Sequence, residues 1–519
     1  MTPVLKAVLF DMDGVVTDTA TAHAVAWQRL FDEYLSARAE AGGEAFRPFD
    51  IERDYRQYVD GKPRYDGVES FLASRGIELP YGDAGDEPDA QTVCGLGNRK
   101  DGHFRAWLAH NQVEPYPGTL TLLGALRNAG VGVAVFSASR NAEAVLRNAG
   151  VIEQFDTKVD GGDLARLGLP GKPDPAMLCE AAARLTAKPE QCAVVEDAIA
   201  GVEAGTRGRF ACVIGVDRGE HGDALRQAGA HLVVHDLSEL SLDASRRLLV
   251  KTLANLPSVW EREIEIRQRL SGQDLVVFLD YDGTLTPIVE DHTQAFLSDE
   301  MRGAVKALST RCTVAIVSGR DLSMLQGLVR LDTVYYAGSH GFEIAGPAGR
   351  LDSFEKGVEF LPEIDRAEQA LRERLAGIEG HAVERKRFSV AVHFRQVADA
   401  DFGKLERVVG SVLTEHPRLK RGHGKKVFEL QPDIDWNKGQ AVRWLLERIG
   451  GNRPGTVPIY VGDDITDEHA FHALAGRGVC VVVRDGGTRQ TAADYALAQV
   501  DDVRRFLELL DALQNRGSS

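Results

Sequence analysis

The sequence predicts an α/β protein with two doubly wound parallel-sheet cores, the first carrying a helical cap and the second an α+β cap. Three observations carry this reading. First, residues 4–17 read VLKAVLFDMDGVVT and residues 275–286 read LVVFLDYDGTLT, so an apolar run ending in Asp-x-Asp-Gly occurs twice, with Asp11 and Asp280 269 residues apart. A continuous apolar run of this length is the mark of a strand buried on both faces of a parallel sheet. Second, short apolar runs alternate with amphipathic helical patterns behind each copy, as crossover-connected parallel strands require. Third, each half contains one long segment that breaks the alternation and reads as an insert.

In the first unit, placed at 1–238, strands are expected at 131–136 and 192–195 with a helix at 175–185 between them. The insert, about 18–115, has helical apolar spacing around Trp27, Leu30, Phe31 and Phe71. Residues 239–273 read as a helical connector carrying Trp260, Ile264 and Leu270. The second unit is placed at 274–513. There Ser298 begins a helix with Met301, Val305 and Leu308 on one face, and strands follow at 313–317, 334–337 and 457–461. Val442, Leu445, Leu446 and Ile449 fit i, i+3, i+4, i+7 spacing, stopped by Gly450-Gly451. Its insert, about 345–432, holds a helix at 363–376 and alternating stretches at 387–394 and 425–430, which suit half-exposed strands.

Composition bounds the function. Apolar residues make up 44% of the 519 and charged ones 27%, ordinary for a globular chain. A net charge of −16 disfavours nucleic acid and anionic membrane as partners, but leaves room for a small phosphorylated substrate in a local basic pocket. No apolar run reaches the roughly 18 residues of a membrane span, and the N-terminal run ends at Asp11, too soon for a signal peptide. The six cysteines include no Cys-x-x-Cys pair, which fits a reducing cytoplasm better than a disulfide framework or zinc site.

The paired aspartates carry the chemistry. A phosphate monoester is a dianion that repels nucleophiles, so its cleavage needs charge neutralisation, in-line attack and a proton for the leaving oxygen. A carboxylate at a strand end serves as nucleophile. The residue two positions on lies on the same side and serves as acid and base. Asp11 with Asp13, and Asp280 with Asp282, have that spacing, and adjacent carboxylates attract Mg²⁺. Each half adds a hydroxyl, a lysine and a second acidic strand end in the same order. These are Ser137, Lys172 and Glu196-Asp197 in the first half, and Ser318, Lys438 and Asp463 in the second.

On these motifs both halves resemble the haloacid dehalogenase (HAD) superfamily of aspartate-nucleophile phosphotransferases. The resemblance implies HAD-type cores. It also implies that Asp280 is the nucleophile and Asp282 the acid/base. Mg²⁺ would be held by Asp280, the carbonyl of Asp282, and Asp463, with Asp467 orienting that shell. Ser318 and Lys438 would bind the phosphoryl group. In the first half the same roles fall to Asp11, Asp13, Glu196 with Asp197, Ser137 with Ala138, and Lys172.

The second half further resembles trehalose-6-phosphate phosphatases, through Ser339-His340-Gly341-Phe342-Glu343, Glu384-Arg385-Lys386, His393-Phe394-Arg395, Lys425-Lys426-Val427-Phe428-Glu429 and Asn437-Lys438. That resemblance implies sugar contacts from Gly341, Glu384, Lys386, His393, Arg395, Lys425 and Glu429. Read from residue type alone, Glu384 with Lys386 and His393 with Arg395 are pairs on one strand face that suit sugar hydroxyls. A solvated face with ordinary ion pairs is the other reading. His340 is either a satisfied buried histidine or a ligand. The first half resembles β-phosphoglucomutases, through His23, Gly61-Lys62-Pro63-Arg64, Asn98-Arg99-Lys100 and Ser137-Ala138-Ser139. By that resemblance Arg64 and Lys100 hold a second phosphate, and surface cations on a helical cap are the alternative. The expected function is therefore trehalose 6-phosphate hydrolysis joined to a β-phosphoglucomutase-like unit. The alternatives are a phosphatase for another sugar phosphate and an N-terminal unit that senses sugar phosphates or stabilises its neighbour.

Overall fold

Ala7–Asp11 is buried at every position and forms β1, hydrogen-bonded on both edges to parallel strands. The computed structural model describes residues 4–42, 46–51, 53–218, 221–289, 294–347, 354–424 and 426–515. The chain divides into two units, Met1–Val250 and Lys251–Ser519.

The N-terminal unit is built on a six-stranded parallel sheet of β1, β2 (Gly132–Phe136), β3 (Thr157–Val159), β4 (Cys192–Glu196), β5 (Cys212–Val216) and β6 (Leu232–Val234). Their order is β3-β2-β1-β4-β5-β6, which puts β1 between β2 and β4. The ends of these three strands deliver Asp11, Ser137 and Glu196 to one edge. The insert is a helical cap of Ala20–Gly42, Arg64–Ser74 and Val93–Leu108, closed around Trp27, Leu30, Phe31, Phe71 and Leu96.

The stretch expected to be a helical connector is divided instead. Its first part is a hairpin of β7 (Leu240–Leu242) and β8 (Leu248–Val250), whose Leu240 and Leu248 belong to the N-terminal core. Its second part adds Leu253 and Leu256, then the helix Glu263–Leu270, to the C-terminal core. The Leu/Val run at 248–250 pairs as a strand because its apolar side chains find the N-terminal core within reach, a contact that local spacing does not encode.

The C-terminal unit contains β9 (Asp274–Leu279), β10 (Thr313–Val317), β11 (Tyr335–Gly338), β12 (Glu343–Ala345) and β13 (Phe354–Glu355). Next come the cap strands β14 (Ala382–Lys386), β15 (Ser389–His393), β16 (Leu419–Gly424) and β17 (Val427–Pro432), then β18 (Thr456–Gly462), β19 (Val479–Val483) and β20 (Tyr495–Leu497). The core sheet runs β13-β12-β11-β10-β9-β18-β19-β20, antiparallel only at β11–β12–β13. Ser298 accepts from the Met301 amide and starts the helix Asp299–Ser309. The cap is an antiparallel sheet, β14-β15-β17-β16. One face packs Val390, Val392 and Leu430 against Ile364, Leu371 and Leu405 of two helices. Strand period two then turns Glu384, Lys386 and Glu429 to the other face. The expected strand at 387–394 begins only at Ser389. Arg387 and Phe388 make the preceding turn, with Phe388 buried against Phe342 of the core. Among the described residues, no helix is long and apolar enough to cross a membrane.

Both Asp-x-Asp-Gly segments fold into the same turn. The Gly14 amide donates to the Thr17 carbonyl at 2.9 Å and the Gly283 amide to Thr286 at 2.8 Å. Both glycines have φ +80°, where L residues are strained. A Cβ on Gly283 would lie 2.3 Å from Asp463 Oδ2, and one on Gly14 would overlap Asp197. Gly283→Ala should therefore cost at least about 1–2 kcal/mol and lower the melting temperature of the C-terminal unit. An unchanged melting curve would refute this account of the turn.

Candidate active sites

In the C-terminal unit the strand ends converge. Lys438 opens the helix Lys438–Arg448, where Asn437 Oδ1 accepts from the Gln440 amide and caps the first turn. A cation at a helix N-terminus opposes the helix dipole, so its place there needs carboxylates. Lys438 Nζ donates to Asp280 Oδ1 at 2.7 Å and to Asp467 Oδ1 at 2.6 Å, all three groups being buried. Asp467 also accepts from Tyr460 Oη at 2.7 Å and from the amides of Asp463 and Asp464 at 3.0 and 2.9 Å. Those four donors fill a carboxylate's capacity, so Asp467 orients its neighbours.

Burial pushes the Asp280 carboxyl well above the usual range despite Lys438, and Asp467 and Asp463 push it further. Burial would raise Asp467 too, but Lys438 and the other donors outweigh it and hold it down. Asp280, Asp463 and Asp467 offer oxygens within 4.8 Å of one another. Three buried carboxylates around one ammonium leave negative charge that a hard divalent cation would neutralise, and an all-oxygen donor set suits Mg²⁺. The Asp282 carboxylate is turned elsewhere, accepting from Arg320 Nε at 2.7 Å and Nη2 at 2.6 Å. Arg320 is a site residue that residue type alone did not single out. Its position in Ser318-Gly319-Arg320, two after the strand-end hydroxyl, was the available signal.

A cleft of about 300 Å³ joins these groups to the cap face and is lined by Ser318, Arg320, Glu384, Lys386, His393 and Arg395, among others. Lys386 Nζ pairs with Glu429 Oε1 at 3.0 Å, and His393 Nε2 lies 2.8 Å from Glu384 Oε2. Lys386 and Glu429 are 20% and 13% exposed, whereas the His393 side chain is 43% exposed and Arg395 is exposed, so the face is enclosed at Lys386 and open to solvent at Arg395. Burial would raise Glu429, but Lys386, His340 and Ser389 hold it well below the usual carboxylate range. His340 is part-buried, with its ring Nε2 3.3 Å from Glu429 Oε2, and it lines the cleft. Gly341 does not line the cleft. It is buried with φ +92°, and a Cβ there would sit 2.2 Å from Ala441 Cβ, so its role is to let the chain pack on the lysine-bearing helix. Lys425 lies outside the described residues.

The N-terminal unit repeats the arrangement. Lys172 Nζ donates to Asp11 and to Glu196, and Glu196 Oε2 accepts from the Ala198 amide at 2.8 Å. Burial raises the Asp11 carboxyl well above its usual range, with Glu196 and Asp13 opposing the help from Lys172. Asp11, Glu196 and Asp197 form the second oxygen cluster fit for a cation. Asp13 turns to Thr19 and to His23, whose Nε2 is 3.4 Å away, and Ser137 Oγ stands 3.4 Å from its other oxygen. Burial would raise Asp13, but His23, Thr19 and Lys100 hold it down at about 2. Ser137 and Ala138 line the cavity beside Arg64 and Lys100. Neither cap cation is a free surface group. Arg64 pairs with Asp101 at 3.0 Å, and buried Lys100 donates to His23 Nδ1 at 2.7 Å. Asp60, from the cap loop, joins the same cavity and was not anticipated; its place just before Gly61-Lys62-Pro63-Arg64 was the signal. Burial raises its carboxyl to about 6.

Comparison with known proteins gives the following. A trehalose-phosphatase family model matches residues 278–501, and a haloacid dehalogenase-like hydrolase model matches residues 5–208. A trehalose-phosphate phosphatase of Mycobacterium bovis is 41% identical over 337 residues, covering 64% of this chain and 84% of that protein. A Mycobacterium tuberculosis protein described as an uncharacterized glycosyl hydrolase is 39% identical over 511 residues. That match covers 97% of this chain, which spans 38% of the relative's length. A solved structure described as a trehalose-6-phosphate phosphatase related protein is 25% identical with a TM-score of 0.41, covering 47% of this chain and 99% of that one.

The geometry around Lys100 generates a pH dependence. Burial lowers its pKa to about 7. The ammonium is therefore present below pH 7 and lost as pH rises through that value. Sulfate, whose charge is constant across the range, should bind the N-terminal unit more weakly at pH 8 than at pH 6. One charge-assisted hydrogen bond is worth about 1.5–3 kcal/mol, so the change is about tenfold. Calorimetric titration should show this dependence in the wild type and a smaller one in Lys100→Met, where Asp60, raised to about 6 in the same cavity, still ionises across the range. Equal affinities at both pH values in the wild type would refute it.

Proposed function

Since the chain belongs to the trehalose-phosphatase family, we propose that its C-terminal unit hydrolyses trehalose 6-phosphate to trehalose and phosphate. The observation that carries the reading is the meeting of Asp280, Ser318, Lys438 and Asp463 in one cleft whose opposite wall is the charged cap face. Lys438 and Ser318 hold phosphoryl oxygens. An Asp280 oxygen attacks phosphorus as the bond to the sugar O6 breaks, and Asp282 passes a proton to that oxygen. Arg320 must release Asp282 for this to happen. Asp282 then takes a proton from water as the water attacks phosphorus, the bond to Asp280 breaks, and phosphate leaves. Mg²⁺, held by Asp280, Asp463 and the Asp282 carbonyl, would supply charge neutralisation on the phosphoryl oxygens. Lys386, Glu429, Glu384 and His393 meet the sugar hydroxyls.

For the N-terminal unit we propose interconversion of β-glucose 1-phosphate and glucose 6-phosphate by the same aspartyl-phosphate chemistry. A mutase must return its phosphoryl group to a sugar, so it needs a second anion anchor. Arg64 and Lys100, in the same cavity as Asp11, support that role. The complete set of Asp11, Asp13, Lys172 and Asp197 favours catalysis over a scaffold, which has no use for it.

Asp280→Asn should remove phosphate release from trehalose 6-phosphate by at least about 10³-fold while leaving the circular-dichroism spectrum intact; near-normal release would sink the assignment. Glu429→Gln and Lys386→Ala should raise KM for trehalose 6-phosphate about tenfold with a smaller effect on kcat. A coupled assay with β-glucose 1-phosphate should give turnover in the wild type and none in Asp11→Asn; no turnover in the wild type would remove the mutase reading.

A further inference from the structure

The peptide group that follows the last acidic strand end is clamped on both sides in each unit. In the C-terminal unit that peptide joins Asp463 to Asp464. Its N–H donates to Asp467 Oδ2 at 2.9 Å, and its carbonyl accepts from Arg489 Nη2 at 3.0 Å. Arg489 comes from the chain after β19 and is fixed in turn. Its Nη1 pairs with Glu468, whose other oxygen accepts from the Ala492 amide at 2.8 Å. Arg489 and Glu468 are 23% and 13% exposed.

In the N-terminal unit the same peptide joins Asp197 to Ala198. Its N–H donates to Glu196 Oε2 at 2.8 Å. Its carbonyl lies 3.0 Å from His221 Nε2, which is the protonated ring nitrogen because a carbonyl oxygen only accepts. His221 follows β5, the strand equivalent to β19, and its backbone amide is held by Asp217 Oδ1 at 2.8 Å. The amide-side carboxylate comes from four residues beyond the strand-end aspartate in one unit and from one residue before it in the other. The carbonyl-side donor is arginine in one and histidine in the other. The residue types differ and the clamp is the same.

We propose that Arg489, held by Glu468, is a positioning residue that fixes the Asp463–Asp464 peptide and so aims the Asp463 carboxylate at the place where a divalent cation meets Asp280. This deepens the reading of the C-terminal unit given above. The Asp463 N–H donates to Asp467 Oδ2 at 3.0 Å and its carbonyl accepts from Arg489, so the two bonds hold the backbone on both sides of the Asp463 Cα that carries the side chain. Asp467 alone leaves the plane held on one edge. Arg489 does not reach the reacting atoms; it acts through Asp463. Partners that orient metal ligands in this way typically control affinity by 10–100-fold.

The test uses the full chain with Asp11→Asn and Asp197→Asn, so that the C-terminal cluster alone answers, and Mg²⁺ as probe in titration calorimetry. Arg489→Ala should weaken Mg²⁺ binding at least about tenfold, and raise by a similar factor the Mg²⁺ concentration giving half-maximal phosphate release from trehalose 6-phosphate. At saturating Mg²⁺, KM for the sugar phosphate should stay within twofold. Should Arg489→Ala not fold, Arg489→Met decides: it keeps the apolar stem of the side chain but has no donor for the Asp463 carbonyl, so it should show the same weakening. A folded variant of either kind that binds Mg²⁺ within twofold of its parent would overturn the proposal. Parent protein that binds Mg²⁺ but releases no phosphate from trehalose 6-phosphate would remove the substrate assignment and leave the role of Arg489 to be judged by calorimetry alone.

Discussion

A buried ammonium shared between two carboxylates holds each site together. Lys438 lies between Asp280 and Asp467, and Lys172 between Asp11 and Glu196, with almost no exposure of any of the six groups. Removing one partner of such a pair strands a buried charge, at a cost of about 3–5 kcal/mol. The pairing thus links three separate parts of the chain: the central strand, the lysine segment and the acidic loop after the next strand. The surplus of carboxylate over ammonium that remains at each centre suits a divalent cation.

The two units differ in how the second aspartate is held. Asp282 is gripped by both nitrogens on one edge of Arg320, whereas Asp13 meets Thr19 and His23, with Lys100 behind the histidine. At the position equivalent to Arg320 the N-terminal unit has Ser139; both amides donate to the strand-end serine Oγ, at 3.2 and 3.1 Å, but serine brings no cation to the second aspartate. The second aspartate therefore faces a fixed cation in one unit. In the other it faces a buried lysine–histidine pair carried by the cap, so that cap and core meet at Asp13.

Legibility in the sequence followed the range of each interaction. Asp11-x-Asp13 and Asp280-x-Asp282 were readable because strand period and a tight glycine turn are local. The cap face was readable for the same reason, since Glu384 and Lys386 must share a side. At Gly341 the sequence could not show that the glycine packs against Ala441, a contact made only in the folded chain. The hairpin at 240–250 was missed because its strands are stabilised by a core drawn from many parts of the chain, as the shared cluster of Leu248 with Leu122, Val133 and Val216 illustrates.

Periodicity, turn chemistry and the order of acidic, hydroxyl and ammonium groups were set in the linear chain, and they sufficed for the two parallel-sheet cores and for which strand ends bear reactive groups. Tertiary structure alone decided which carboxylate takes which donor. That Arg320 closes on Asp282, that Lys438 reaches Asp467, and that Arg489 and His221 reach equivalent carbonyls all depend on segments separated by tens of residues. Hydrogen bonds are short and directional, so such partners are chosen only when the packed sheet brings the loops to within about 3 Å.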